Sequence, residues 1–293
     1  MASYSASLKK SVPWWAKVAV KLALAKLAID YRTLRSLSLS KHGGMDRPSW
    51  AFETFRRHFD SCDFARKTGP FVAMELGPGD SLFTAPLAKV HGASRTYLVD
   101  VGPFASDDLR IYRDLLDHLG ERGYSVESLK NLDSVAAIMS ACDADYSTRG
   151  LQSLREIPDG SVDFLFSNAV LQIVRRSELP ATLKELRRIM RPDGIASHSI
   201  GIWDHINDEL NHLRFSERVW ESSFFSNSGF YSNRYRFSEF IKLFEDSGFR
   251  VNVTEVNRWE QLPISKTKLS PEFRNFSSDD LRVYSFNVLM YPN

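Results

Sequence analysis

"VAMELGPGDSLF", residues 72–83, interrupts an apolar run with an acid, two glycines, a proline and a second acid. A strand would continue through this stretch, and a helix would not begin on glycines, so bare backbone is left at the end of a strand facing something. The following segment, "SLFTAPLAKVHG", reads as a helix closed by Gly92, and "RTYLVDV" as a second short strand.

Working outward, strands and helices alternate. "SWAFETFRRHF" has helical spacing, and "GPFVAMELG" is a buried strand ending on glycine. "SDDLRIYRDLLDHLGERG" is expected as a helix with Ser106 as N-cap and Gly120 or Gly123 near its end. "SVESLKNLDSVAAIMSACD" reads as helical too. "VDFLFSN" is then a strand, "AVLQIVRRSELPATLKELRRIMRPDG" a helix broken at Pro180, and "IASHSI" another strand. "FSEFIKLFEDSGFR" is a helix ending at Gly248. The late strands "VNVTEVNRW" and "RVYSFNVLMY" are joined by an irregular stretch without a crossover helix, which suits an antiparallel pair. This order implies an α/β, doubly wound sheet whose ligand lies at the carboxyl ends of its strands.

The 293 residues, 43% hydrophobic and 25% charged, fit one large domain with additions or two small ones. A net charge of +2 gives no electrostatic reason to expect nucleic acid. Cys62 and Cys142 have neither the number nor the spacing for a disulfide framework or zinc site, which makes a reducing cytoplasm the default. In "PWWAKVAVKLALAKLAIDY", Lys21 and Lys26 interrupt the apolar run short of the roughly 20 residues of a membrane span. Lysines inside the apolar region also argue against a signal peptide. Lys10, Lys17 and Lys21 share one helical face and Lys26 points nearly opposite, leaving two readings: a helix packed on the domain as a lid, or one resting on a membrane surface.

A pyrophosphate turn wants glycine or alanine at the sixth position of G-x-G-x-x-G, where this chain has Leu82. Asp80 would repel a phosphate from the following helix N-terminus. A cationic or zwitterionic ligand fits better, and S-adenosylmethionine, with its sulfonium and ammonium, is one. Glu75 at the strand end then makes electrostatic sense. Asp100, 25 residues later at the end of the second strand, is placed to accept both ribose hydroxyls; the alternative is a turn residue. Asp143 and Asp145 are candidates for an adenine-side acid, or equally helix-end and turn residues.

The motifs "ELGPGDS", "YLVDVG", "IPDGSVDFLFSNAVLQIV" and "LKELRRIMRPDGI" resemble the class I S-adenosylmethionine-dependent methyltransferases from about Phe71 to Ile200. The resemblance implies a Rossmann-like seven-stranded sheet of order 3-2-1-4-5-7-6 with an antiparallel last strand. It implies cofactor contacts from the Gly77, Gly79 and Ser81 loop, from Asp100, and from Asn168 and Ala169. Ser81 stands where a third glycine is frequent, and Leu171, Gln172 and Ile173 replace the "LEH" common in related chains, so a base expected there is missing. The domain expectation is a helical extension or lid over residues 1–65 and a methyltransferase domain over 66–293, with an acceptor-side insertion around 203–236.

Methyl transfer is an in-line displacement, and a hydroxyl acceptor also needs a base. His198, Asp204 and His205 follow the fifth strand toward the same crevice, and His205 oriented by Asp204 is the sharpest candidate; a capping Asp204 beside a surface histidine is the alternative. A metal-assisted version would hold Mg²⁺ or a similar ion with these groups and with Asp208 and His212, but the spacing is not diagnostic, and no metal is expected. The run "HLRFSERVWESSFFSNSGFYSNRYRFSEF" is dense in aromatics and arginines, which suits sugar stacking or a satellite core. "SDDLR", "LRFSERVWES", "GFYSNRYR" and the N-terminal "PWWAKVAVKLALAKLAIDYR" resemble a subgroup encoded among bacterial surface-polysaccharide genes. That implies O-methylation of a sugar or glycan hydroxyl in the cytoplasm, with the N-terminal helix contacting the inner membrane. The competing expectation is a non-catalytic methyltransferase-like subunit of a membrane-associated glycan assembly complex.

Overall fold

The computed structural model describes residues 13–26, 44–63 and 69–293. Among the described residues two helices precede the sheet, α1 (Trp14–Lys26) and α2 (Pro48–Ser61). Pro48 suits the first turn of α2, where its missing N–H costs nothing. Ala51, Thr54, Phe55, His58 and Phe59 recur at helical spacing and are all buried. The chain then alternates through β1 (Phe71–Leu76), α3 (Thr84–Val90), β2 (Ala93–Val99) and α4 (Leu109–Glu121). Short helices α5 (Glu127–Lys130) and α6 (Val135–Ala141) lead to β3 (Ala144–Ser147). Next come α7 (Leu151–Glu156), β4 (Val162–Asn168), α8 (Leu179–Ile189) and β5 (Met190–Gly201). After an irregular region, α9 (Phe237–Asp246), β6 (Phe249–Arg258) and β7 (Val283–Pro292) complete the fold.

The strands form one seven-stranded sheet of order β3-β2-β1-β4-β5-β7-β6. The first five pair in parallel, and β7 runs antiparallel to β5 and β6. The expected Rossmann-like order and antiparallel last strand are therefore both present.

Side-chain alternation along the strands feeds two cores. Phe164 and Phe166 of β4 join Phe55 and Phe59 of α2 and Leu115 and Leu119 of α4 on one face, while Val162 and Leu165 join Leu183 and Leu186 of α8 and Phe240 and Phe244 of α9 on the other. α2 thus packs into the core of the unit expected from residue 66 onward.

Three local expectations are corrected. Asp108, rather than Ser106, caps α4: its Oδ1 accepts the Arg110 N–H at 3.0 Å, while Ser106 Oγ accepts the Asp108 N–H. The segment read as one helix before β3 is two, because Ser134 caps a new start at Val135. Pro180 opens α8 instead of breaking a longer helix, since proline is tolerated in a first turn and residues 170–178 turn without forming a helix.

The aromatic run of the insertion forms a satellite core. Trp220, Phe225, Phe230 and Tyr231 pack with Ile206 and with Val18 and Leu22 of α1, while Trp14 meets Phe215 edge-on. Lys17 also bonds Asn207. Lys10, and the side chains of Lys21 and Lys26, lie outside the described residues. Among the described residues no helix is long and apolar enough to cross a membrane.

Arg236 anchors the end of the sheet. Fully buried, its guanidinium donates to the carbonyls of Ile202 after β5 (2.9 Å), Leu281 (3.2 Å) and Val283 at the start of β7 (2.7 Å). Burial lowers its pKa to about 10, still well above neutral pH. Arg236→Ala leaves these carbonyls enclosed without a donor and is expected to reduce unfolding free energy by about 3 kcal/mol. Urea unfolding measures this, and a loss under about 1 kcal/mol would show that Arg236 does not anchor the strands.

Candidate functional site

The glycine loop leaves β1 at its carboxyl end, between the ends of β2 and β4. Gly77 sits at φ +75°, and its N–H donates to Val99 O at 2.8 Å. A Cβ there would stand 2.5 Å from Val170 Cγ2, so the bare backbone is required sterically as well as conformationally. Gly79, at φ +66°, donates its N–H to Asp100 Oδ2 at 3.0 Å. Ser81 Oγ donates to Met45 O, which seats the turn before α2 on the loop. Asp80 is fully enclosed, and its carbonyl accepts the Ser106 N–H. α3 begins only at Thr84, so Asp80 does not stand at a helix mouth as the sequence suggested.

Asp100 lies just past β2 and is 8% exposed. Its Oδ1 accepts the Val101 N–H at 2.7 Å. A carboxylate can accept from hydroxyl donors as well as from backbone N–H groups. Glu75, one strand away, is fully enclosed, and its Oε2 has no partner. Burial, with a smaller push from Asp100, raises its pKa to about 8. An enclosed acid with an unmet oxygen beside bare glycine backbone fits a cationic group, as the ammonium of S-adenosylmethionine is.

Asn168 ends β4, and Ala169 follows at φ +59° with its N–H on Ser199 O at 2.9 Å. The unusual backbone directs the chain out of the sheet beside the glycine loop, where Val170 meets Gly77. Asn168 Oδ1 accepts from Arg57 Nη2 of α2 at 3.1 Å, a contact that no local sequence signal announced. Beyond it Leu171 and Gln172 are buried and Ile173 is exposed, so no titratable group occupies this place. Asn233 ties the insertion here, donating to Leu171 O at 2.7 Å and Val174 O at 3.0 Å.

The candidates after β5 divide. His198 is fully enclosed, with Nδ1 on Ser167 Oγ at 2.7 Å, and burial pulls its pKa down to about 3. It faces the α8 and α9 core, so its reading as a catalytic histidine is corrected: strand alternation turned it away from the crevice. Asp204 Oδ1 accepts the Ile206 and Asn207 N–H groups, and Oδ2 accepts that of Asn211 at 2.6 Å. Its carboxylate holds the loop of residues 204–211 together. His205 is half-buried, next to this loop and within electrostatic reach of the buried His212. Among the described residues no group of three or more histidine, cysteine or acidic side chains is arranged to hold a metal. Asp145 pairs with Arg95 on the exposed side of β3, which accounts for it without an adenine role.

Residues 74–197 match a family model described as a methyltransferase domain. A search of curated protein sequences found no match. Solved structures with related folds include the YcgJ protein from Bacillus subtilis (14% identity, 82% of this chain and 99% of that one, TM-score 0.43). An S-adenosylmethionine-dependent methyltransferase from Mesorhizobium loti matches at 14% identity over 80% of this chain and 97% of that one, TM-score 0.43. A phosphoethanolamine N-methyltransferase from Haemonchus contortus, in complex with S-adenosylhomocysteine, matches at 13% identity over 87% of this chain and 54% of that one, TM-score 0.43. Residues 74–197 are thus similar to a methyltransferase domain, and the strand order and the acid-flanked glycine loop agree with an S-adenosylmethionine-dependent methyltransferase fold.

Glu75 titrates higher in the folded than in the unfolded chain, so its contribution to stability is intact below pH 4.5 and is lost as pH rises toward 8. In cofactor-free protein, the stability of wild type relative to Glu75→Gln should therefore fall between pH 4.5 and 8, by on the order of a few kcal/mol. Denaturant unfolding at the two pH values tests this; a constant difference would show that Glu75 ionises normally.

Proposed function

We propose that the chain O-methylates a hydroxyl of a sugar or glycan in polysaccharide biosynthesis. The observation that carries the reading is the pair of enclosed carboxylates, Glu75 and Asp100, around a side-chain-free loop at adjacent strand ends. Glu75 receives the cofactor's ammonium and Asp100 its ribose hydroxyls. Gly77, Gly79 and Ser81 line its path, with Asn168 and Ala169 opposite. When bound, S-adenosylmethionine supplies a methyl group on a positively charged sulfur. That methyl group would be available to an acceptor oxygen held in line with it, and His205 would take the hydroxyl proton. Asp204 acts by holding the His205 loop rather than by contacting the reacting atoms.

Support for a saccharide comes from Trp203, half-buried just past β5 and edge-on to Tyr284, and from the arginine-rich insertion tied to the segment after β4. α1 rests on the insertion as a cover, and Trp15, 62% exposed, suits contact with the cytoplasmic face of the inner membrane. The second reading, a non-catalytic subunit of a membrane-associated glycan assembly complex, draws on buried Gln172 and exposed Ile173 at a place where related chains carry a base.

Calorimetry with S-adenosylhomocysteine should show binding, weakened at least about tenfold by Asp100→Ala; equal affinity in the mutant would reject the ribose role. His205→Ala should bind the same ligand as wild type yet transfer label from radioactive cofactor to a host glycan extract about a hundredfold more slowly. An unchanged rate would reject His205 as the base. Cofactor binding with no labelled glycan product would favour the subunit reading.

A further inference from the structure

Arg57 lies on the exposed side of α2 and reaches the carboxyl end of β4. Its neighbour Arg56 is fully engaged, with Asp60 and with the Tyr124 hydroxyl. Arg57 instead spends one N–H on the neutral Asn168 amide, and among the described residues it has no carboxylate partner. A guanidinium only donates, so the Asn168 oxygen must be the atom turned toward it. The Asn168 amide hydrogens are then what that side chain offers the crevice. Two adjacent groups present donors, and one carries a positive charge with no carboxylate partner among the described residues. Their complement is an anionic oxygen, for which arginine geometry is well suited.

We propose that Arg57 is an oxyanion-binding residue of the methyl-transfer site, receiving, together with the Asn168 amide, a carboxylate or phosphate presented at the end of β4. This rests on the methyltransferase reading above. Two sources supply such a group: the methionine carboxylate of the cofactor, or an anionic substituent on the acceptor sugar.

The test compares wild type with Arg57→Gln by calorimetry. The probes are S-adenosylhomocysteine and 5′-methylthioadenosine, which keeps the nucleoside and sulfur but lacks the amino-acid end. Glucuronate, glucose 1-phosphate and glucose are then titrated at fixed ionic strength into protein loaded with S-adenosylhomocysteine. If Arg57→Gln weakens S-adenosylhomocysteine about tenfold or more while leaving 5′-methylthioadenosine unchanged, the cofactor carboxylate is the ligand. If S-adenosylhomocysteine binds equally and the mutant loses a preference of wild type for either anionic sugar over glucose, the acceptor supplies the anion. Equal affinity for every probe, or equal weakening of both nucleosides, overturns the proposal. Failure of wild type to bind S-adenosylhomocysteine at all would instead remove the methyltransferase reading, and this proposal with it.

Discussion

The approach of Val170 to the bare backbone of Gly77 sets the geometry of the cleft. Any side chain at Gly77 would push the end of β1 away from the segment leaving β4, and its positive φ would add strain. With that contact made, Gly79 turns its N–H onto Asp100, and the ends of three neighbouring strands are held together. The positions of the acids at the site follow from this close approach. So does the direction in which the chain leaves β4 toward the acceptor side.

Glu75 and Asp100 form an acidic side, and burial, with a smaller push from Asp100, keeps Glu75 largely protonated at neutral pH. The proposed basic group, Arg57, reaches the end of β4 from a helix that belongs to the core. A ligand carrying both an ammonium and a carboxylate satisfies both sides at once, whereas a dinucleotide pyrophosphate would find only one of them favourable.

The sheet and the cofactor loop were legible because their signals are local: period-two apolar runs, glycines at a strand end, and an acid at a fixed spacing. Pro180 misled because one residue type serves both to break a helix and to begin one, and only packing shows which applies. His198 misled for a different reason. Its position near the end of β5 was correct, but strand parity decides whether a side chain meets the crevice or a core, and the register was not in the sequence. Arg57 and Arg236 could not be found locally. Arg57 acts on Asn168, 111 positions away, and Arg236 on carbonyls of two separate segments. The aromatic insertion offered stacking and core readings, the core slightly ahead for any single residue, and burial of Trp220 and its neighbours favours the core.

The sheet order has a consequence for how the chain is completed during synthesis. β6 borders only β7, and β7 lies between it and β5, although β7 is made last. Until residues 283–292 leave the ribosome, β5 has an open edge on that side and β6 has no strand to join. Arg236 likewise waits for the carbonyls of Leu281 and Val283. The cofactor half of the sheet, β1 to β4, can assemble earlier, so the acceptor half is the part exposed longest to pairing with other nascent chains. Closure by β7 turns an aggregation-prone edge into the interior of the sheet in a single late step.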